Sequence, residues 1–408
     1  MHVDIRSKVA PDLALTFEQH LVDQCRRLSV HVSFGHKVPM TGRRVVVVFA
    51  GKRSSWAAGE DRLFRKLVDD GVTVLPVVPD APSARYLPTS LSHINAFVMG
   101  FFGEAWAECL ADEVLSMAWL HRRTPKVFIS YKRTDSAPIA AQLYDRFNHL
   151  GYETFLDEAS VPRGADFQRE LKWWLNDADL LIVLASPRFP LSKWCMEEVS
   201  FCQQRFIGIA AIEWPDAIYE GDRRIRFPDV DESAKRPVVL KRTTPDQVLT
   251  LRPEDFAGKP LVRASRHPDL PLRELTPRAL SRVLAMCARQ RTVAIRQRLD
   301  DLIPLAQRLL KGSAPIPGAS TPGDLVFMGP GGASSFARVL PFRPRPENIR
   351  EACIDGVKYG SVAGCFYAEN DPYDPRAQAL RWLIKGTRPP DKSLSDGWVW
   401  ACCGGIVL

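Results

Sequence analysis

Two side chains in the middle of the chain are spaced to do chemistry together. Trp194 and Glu198 lie four residues apart at the start of a helical stretch, so they share one face. Glu198 sits about one turn from the helix N-terminus, where the helix dipole favours a carboxylate and keeps it ionised. Its neighbour Glu197 points roughly 100° away and reads as a surface charge. The core-facing residues of the same helix are Val199, Cys202 and Phe206. Basic groups are expected close by, because Tyr131, Lys132 and Arg133 end an apolar run that precedes another helix. A fixed anion beside an aromatic wall, with lysine and arginine in reach, suits a ligand that carries both cationic and phosphate groups.

The elements that must bring these groups together are strands and helices in alternation. Lys126–Tyr131 (KVFISY) reads as a buried strand, Ile139–Leu150 as a helix stopped by Gly151, and Tyr152–Asp157 as a second strand. The loop EASVPRGAD leads into a helix over Phe167–Asn176. A third strand, Asp179–Ser186, follows, then a helix over Lys193–Phe206 and a strand over Ile207–Glu213. Such alternation gives an α/β fold with a parallel sheet covered on both faces. In an open parallel sheet, ligands bind beyond the carboxyl ends of the strands. Those ends carry Ser130 to Arg133 after the first strand, Asp157, Glu158 and the Val161–Gly164 loop after the second, and Ser186, Pro187 and Arg188 after the third.

KVFISYKRTDS, YETFLDEASVPRG, DADLLIVLASPRF and SKWCMEEV, in this order and spacing, resemble the Toll/interleukin-1 receptor (TIR) domain. The resemblance covers about residues 125–215. It implies a flavodoxin-like sheet, with Val161, Pro162, Arg163 and Gly164 in the family's BB loop, an assembly element. Many bacterial, plant and axonal members cleave NAD+, and in them the glutamate four residues after the tryptophan is catalytic. That pattern falls on Trp194 and Glu198. The resemblance therefore implies a TIR NAD+ glycohydrolase in which Glu198 grips the ribose and faces the developing cation. Tyr131, Lys132, Arg133, Asp157, Ser186 and Trp194 would bind the substrate. NAD+ is then a substrate, and no cofactor is expected. Animal adaptors of the same fold act as non-catalytic scaffolds, and other members cyclise ADP-ribose; both alternatives stay open here. Self-association through TIR domains and an unidentified activator or partner protein are the partners implied, in a role such as bacterial antiviral defence. One of Trp173 and Trp174, on the helix after the loop, is expected in the core and the other is available to a neighbouring subunit.

Upstream, VVVVFAGKRSSWAAGEDRLFRKLVDDGVTVLPVV repeats part of the pattern, and Trp56 and Glu60 reproduce the Trp-x-x-x-Glu spacing. Helices are expected over 12–28, Glu60–Val68 and Glu104–Leu120, with strands at Val30–Phe34, Arg44–Ala50 and Val72–Val78. No KVFISY-like first strand and no BB loop are visible. Residues 1–122 read either as a degenerate, inactive TIR-like domain or as an α/β unit with chance spacing at Trp56. Gly59 beside Glu60 weakens the helix there. Such a second domain could occlude or complete the site at Glu198.

The remaining organisation is coarser. The TIR domain is set at 123–265, a helical segment at 266–312, a linker at 313–323 and a small α/β domain of unassigned fold at 324–408. Pro237–Leu240 is a possible strand. Pro277–Lys311 is one long helix or two, with a packing stripe that includes Leu280, Val283, Leu284 and Cys287. GPGG at Gly329–Gly332 reads as a turn, since the lysine and hydroxyl of a phosphate loop are missing.

Composition bounds the function classes. The chain has 408 residues, 46% hydrophobic and 25% charged, which excludes a wholly disordered chain and a coiled-coil rod. Its longest apolar runs are about six residues, far short of the roughly 20 that a membrane span needs. The first residues lack the apolar core of a signal peptide, so a cytoplasmic protein is expected. Nine cysteines without a C-x-x-C pair, and eight scattered histidines, give neither a disulfide framework nor a metal site. The net charge of +8 is carried by residues 216–408 and is spread thinly, which leaves nucleic-acid binding weakly supported.

Overall fold

A computed structural model describes residues 1–9, 11–35, 43–52, 54–156, 167–186, 189, 192–214, 247–261, 272–310, 312–317, 319, 321–328, 334–357, 359, 363–367, 400–402 and 405–407. The chain divides into two compact units. The first comprises Met1–Arg27, Val32–Val38 and Arg44–Ala294; the second comprises Leu28–His31, Pro39–Arg43 and Ile295–Leu408.

The first unit holds two parallel five-stranded sheets. One is formed by β1 (His2–Ser7), β2 (Ser33–Phe34), β3 (Arg44–Phe49), β4 (Thr73–Val78) and β5 (Phe97–Val98), in the order β2-β1-β3-β4-β5. The other is formed by β6 (Lys126–Tyr131), β7 (Glu153–Leu156), β8 (Leu180–Ala185), β9 (Gly208–Glu213) and β10 (Val248–Thr250), in the order β7-β6-β8-β9-β10. Every pairing in both sheets is parallel. Counted within each sheet, both orders are 2-1-3-4-5, the flavodoxin-like winding with a switch point between its first and third strands.

The first strand that the sequence analysis found missing upstream is β1. Its pattern, HVDIRS, hides it because a central strand normally reads as a continuous apolar run. Here Asp4 is fully buried and is held by Arg6 Nε at 2.9 Å and Arg44 Nη2 at 2.8 Å. His2 fixes the neighbouring β2 through Ser33 Oγ at 3.0 Å and the Gly35 carbonyl at 2.8 Å. Three helices accompany this sheet: α1 (Pro11–Arg27), α2 (Ala58–Asp69) and α3 (Trp106–Met117).

Around the second sheet lie α4 (Arg133–His149), α5 (Phe167–Asn176) and α6 (Lys193–Gln204). Their apolar faces and the strands form one core. In it Phe128 stacks on Phe155 at 4.7 Å, and Trp174 leans on Phe155 at 5.1 Å. On α6 the buried residues are Cys195, Val199 and Cys202, spaced four and three apart. Phe206 is not among them: its backbone turns left-handed (φ 53°) just past the helix and leaves the ring half-buried. Helix α4 begins six residues before the expected Ile139. Pro138 lies inside the helix, whose first turn carries Asp135. A hairpin of β11 (Phe256–Leu261) and β12 (Leu272–Leu275) follows, tied to α4 by Gln142, whose amide bonds the Leu275 backbone at 2.9 and 2.8 Å. Then comes α7 (Pro277–Leu309), one continuous helix.

Two buried polar clusters lock this unit together. At the amino ends of the second sheet, Asp177 accepts from Arg122 Nη2 and from Lys126 Nζ, both at 2.7 Å. Deeper, the Asp112 carboxylate on α3 bonds Arg291 on α7 and lies 2.6 Å from His121 Nδ1, while Arg291 also donates to the Arg122 carbonyl at 3.1 Å. Burial opposes the charge on Asp112, but Arg291 and His121 outweigh it and hold the carboxyl below its ordinary range. Burial also pulls the His121 pKa below 6.5, against the attraction of Asp112. In the unfolded chain His121 takes up a proton near that pH, and in the folded chain it does not. Stability is therefore expected to fall as pH drops below about 6.5, and further as Asp112 is protonated. Urea midpoints measured from pH 8 to pH 5 check this; a flat profile contradicts it.

The second unit is built on a six-stranded sheet: β13 (Ala314–Pro315), β14 (Asp324–Met328), β15 (Ser334–Leu340), β16 (Ala363–Tyr367), β17 (Trp400–Cys402) and β18 (Gly405–Val407), in that spatial order. Helix α8 (Pro346–Val357) packs on β15 and β16 over Phe336, Leu340 and Tyr367. Arg338, 2% exposed, is held by both oxygens of Asp324 at 2.7 and 3.0 Å and by Asp355 at 2.8 Å. Ala314 and Pro315, expected in a linker, form the edge strand of this sheet. The possible strand at Pro237–Leu240 and the GPGG turn lie outside the described residues.

Candidate functional site

Parallel strands deliver their carboxyl ends to one edge of the second sheet, and a cavity of about 420 Å3 opens there. Tyr131, Lys132, Arg133, Trp194 and Glu198 all line it. Lys132 is the N-cap of α4 and Arg133 its first residue, so the positive end of that helix faces the cavity with them. Ser192, another lining residue, caps α6 by accepting from the Cys195 amide at 3.5 Å. Two helix N-termini thus flank one hollow, an arrangement that favours anions.

Within the cavity, Glu198 accepts a 2.5 Å hydrogen bond from Ser130 Oγ. Trp194 is 57% exposed at the mouth, an unusual state for so large a ring. Glu197 turns outward and pairs with Lys193 at 3.6 Å. Burial pushes the Cys195 thiol up, so this lining cysteine remains a thiol at neutral pH.

Ser186 is not brought to the cavity. It is fully buried, and its hydroxyl donates to Asp135 Oδ2 at 2.9 Å. That bond ties the carboxyl end of β8 to the first turn of α4, and so supports Lys132 and Arg133 from behind. Asp157 and the segment Val161, Pro162, Arg163 and Gly164 lie outside the described residues, as do Pro187 and Arg188.

The sequence analysis missed the apolar floor of the cavity, to which Phe128, Leu171, Leu175 and Phe201 contribute. The signal was present for one of them: Phe201 follows Trp194 and Glu198 at seven and three residues, on their helix face. Leu171 and Leu175 carried only an ordinary core spacing. Ser130 was noted at the strand end without a role.

The upstream pair Trp56 and Glu60 is built differently. Glu60 is the third residue of α2, where Glu198 is the sixth of α6, so equal spacing meets a different helix register. Glu60 Oε2 accepts from the Ala57 amide at 2.8 Å, and Oε1 pairs with Lys8 at 2.9 Å. The Ala57 amide and the Lys8 ammonium hold its carboxyl below the ordinary range. Trp56 packs edge-on against Phe64 at 5.4 Å and donates to the Tyr86 carbonyl at 3.0 Å. This pair starts a helix. Glu60→Ala is expected to leave any turnover unchanged and to lower stability by about 0.3–1 kcal/mol, read by thermal melting. Among the described residues, those lining the cavity fall between Phe128 and Phe201, and none of them belongs to 1–122.

Comparison with known proteins identifies the fold around the cavity. A family model described as TIR domain matches residues 127–232. The chain carries a TIR domain. TMV resistance protein N of Nicotiana glutinosa is 30% identical over 84 residues, which is 20% of this chain and 7% of that protein, so the chain spans a small part of its relative's length. The TIR domains in a structure of the activated Roq1 resistosome directly recognizing the pathogen effector XopQ are 22% identical. That alignment covers 22% of this chain and 58% of that chain, with a TM-score of 0.22. A structure of the xylose-binding transcription activator xylR aligns over 53% of this chain and 54% of its own, at 9% identity and a TM-score of 0.16. Among the described residues no helix is long and apolar enough to cross a membrane, and no group of His, Cys, Asp or Glu is placed to hold a metal ion.

Proposed function

We propose that this chain is an NAD+ glycohydrolase whose TIR cavity cleaves the nicotinamide–ribose bond. One observation carries the reading: the Glu198 carboxylate lies in a cavity of about 420 Å3 beside an exposed tryptophan, under the N-termini of two helices.

The chemistry needs little more. The C1′–N bond of NAD+ breaks with its electron pair returning to the nicotinamide nitrogen, which leaves neutral. No strong general acid is required, unlike the usual glycoside. Positive charge develops on the ribose, and a fixed carboxylate stabilises that charge most where water is excluded. Water then adds to C1′ and releases a proton, giving ADP-ribose. Glu198 is the group that faces the cation. Lys132, Arg133 and the two helix ends suit the pyrophosphate, while Trp194 and Tyr131 offer faces to a ring. The 57% exposure of Trp194 also leaves it open to a neighbouring TIR domain, which supports turnover controlled by self-association. Defence is the setting in this reading: the resistance protein and resistosome among the compared proteins point that way, and a bacterial antiviral effector is its form here. The flanking segments, 1–122 and 216–408, would then receive the trigger.

The test is nicotinamide release by the purified full chain across a concentration series. A rate per molecule that climbs with concentration supports an assembly-controlled glycohydrolase, and chromatography separates ADP-ribose from a cyclised product. No release at any concentration, with TIR self-association intact, favours a scaffold and contradicts the proposal.

A further inference from the structure

Ser130 is the penultimate residue of β6, the strand held between β7 and β8. It is 1% exposed, yet it lines the cavity. Strand alternation sets it on the same face as Phe128. Phe128 shares a core with Cys195, Val199 and Cys202, so α6 covers that face. Ser130 is paired with Val183 of β8 and covered by α6, and its hydroxyl reaches from sheet to helix.

Glu198 is placed less firmly. It lies half-buried on α6, beside the buried stripe and not in it, on a side chain with three rotatable bonds. The 2.5 Å bond from Ser130 Oγ to Oε2 joins this carboxylate to an inner strand of the sheet. A serine has one proton to give, and here it goes to one of the two carboxylate oxygens.

We infer that Ser130 is a positioning residue of this site: it anchors the Glu198 carboxylate to the carboxyl edge of β6 and favours its ionised form. The inference rests on the reading of Glu198 as the acting carboxylate. A hydroxyl that merely satisfied its own hydrogen-bonding need would leave the titration of Glu198 unmoved. One that donates to the charged form lowers that titration, and its removal raises it. The other titratable groups lining the cavity are Tyr131 on β6, Lys132 and Arg133 at the start of α4, Lys172 on α5, and Cys195 and Glu197 on α6. All of them remain when Ser130 alone is changed, so a shift isolates its hydroxyl.

The experiment follows the Glu198 carboxyl by 13C NMR in the full chain with labelled glutamate, the resonance being identified by its loss in Glu198→Gln. In Ser130→Ala the midpoint is expected to rise by about one pH unit, and Ser130→Thr, which keeps the hydroxyl, is expected to restore it. Nicotinamide release by Ser130→Ala is expected to fall about 10–100-fold in kcat with little change in KM. An unmoved midpoint in Ser130→Ala, or a Ser130→Thr that behaves as the alanine variant, overturns the inference. Wild-type protein that releases no nicotinamide overturns the glycohydrolase reading instead, while the titration still decides the role of Ser130.

Discussion

Glu198→Gln is expected to reduce nicotinamide release by at least about 10²–10³-fold, the loss seen when one preorganised charge-stabilising group leaves an active site. The substitution keeps side-chain length and an oxygen that can accept from Ser130 Oγ. In the proposed reaction, it removes the negative charge that would meet the developing ribose cation. KM is expected to change far less than kcat, because the charge acts on the transition state more than on bound NAD+. The folded state loses little, since Glu198 lies beside the Cys195, Val199 and Cys202 stripe and not within the core. A melting temperature near that of wild type, with turnover gone, is the expected pair of results. Full turnover by the glutamine variant rejects Glu198 as the acting group.

Asp112→Ala is the substitution expected to harm the fold most. It leaves Arg291, which has no solvent exposure, without its carboxylate partner, and leaves His121 facing that cation. Removing one partner of a buried ion pair lowers stability by about 3–5 kcal/mol, because the remaining charge stays buried and uncompensated. For a unit of this size that corresponds to a drop of roughly 10 °C in melting temperature. Differential scanning calorimetry of the full chain reads it, and a change under about 2 °C contradicts it. The same argument bears on truncation. Deleting residues 1–122 removes Asp112, His121, Arg122 and Gln24 together, and strands Arg291 and Thr292 of α7. Such a deletion reports on folding before it reports on regulation.

The clusters at Asp4, Asp112 and Asp324 show where sequence reading falls short. Each is a buried carboxylate held by one or two arginines from distant parts of the chain: Arg44, Arg291 and Arg338. Hydropathy scores such residues as surface, so β1 was overlooked. Arg44, Arg291 and Arg338 stand 40, 179 and 14 positions from the aspartates they pair with, and only Asp4 also has a near neighbour, Arg6. The apolar strands Arg44–Phe49 and Leu180–Ala185 posed no such difficulty, because continuous β-branched and leucine runs admit few other fates.

Trp194 with Glu198 and Trp56 with Glu60 have the same spacing and different fates. Spacing along a helix fixes only that two side chains share a face. The helix start decides what that face meets, and it is set by Ser192 in one case and by the turn at Ala57 in the other. One glutamate is thereby carried past the first turn and into a cavity, while the other is used to hold its own helix end.

By itself the sequence determined the α/β alternation of the second sheet, the edge at which its functional groups gather and the carboxylate to test, since all three follow from periodicity and from the order of four local motifs. Only the tertiary structure decided that Ser186 serves Asp135 and Ser130 serves Glu198. Two serines at the ends of neighbouring strands look alike in sequence, and which acceptor each one meets depends on the helix packed above it.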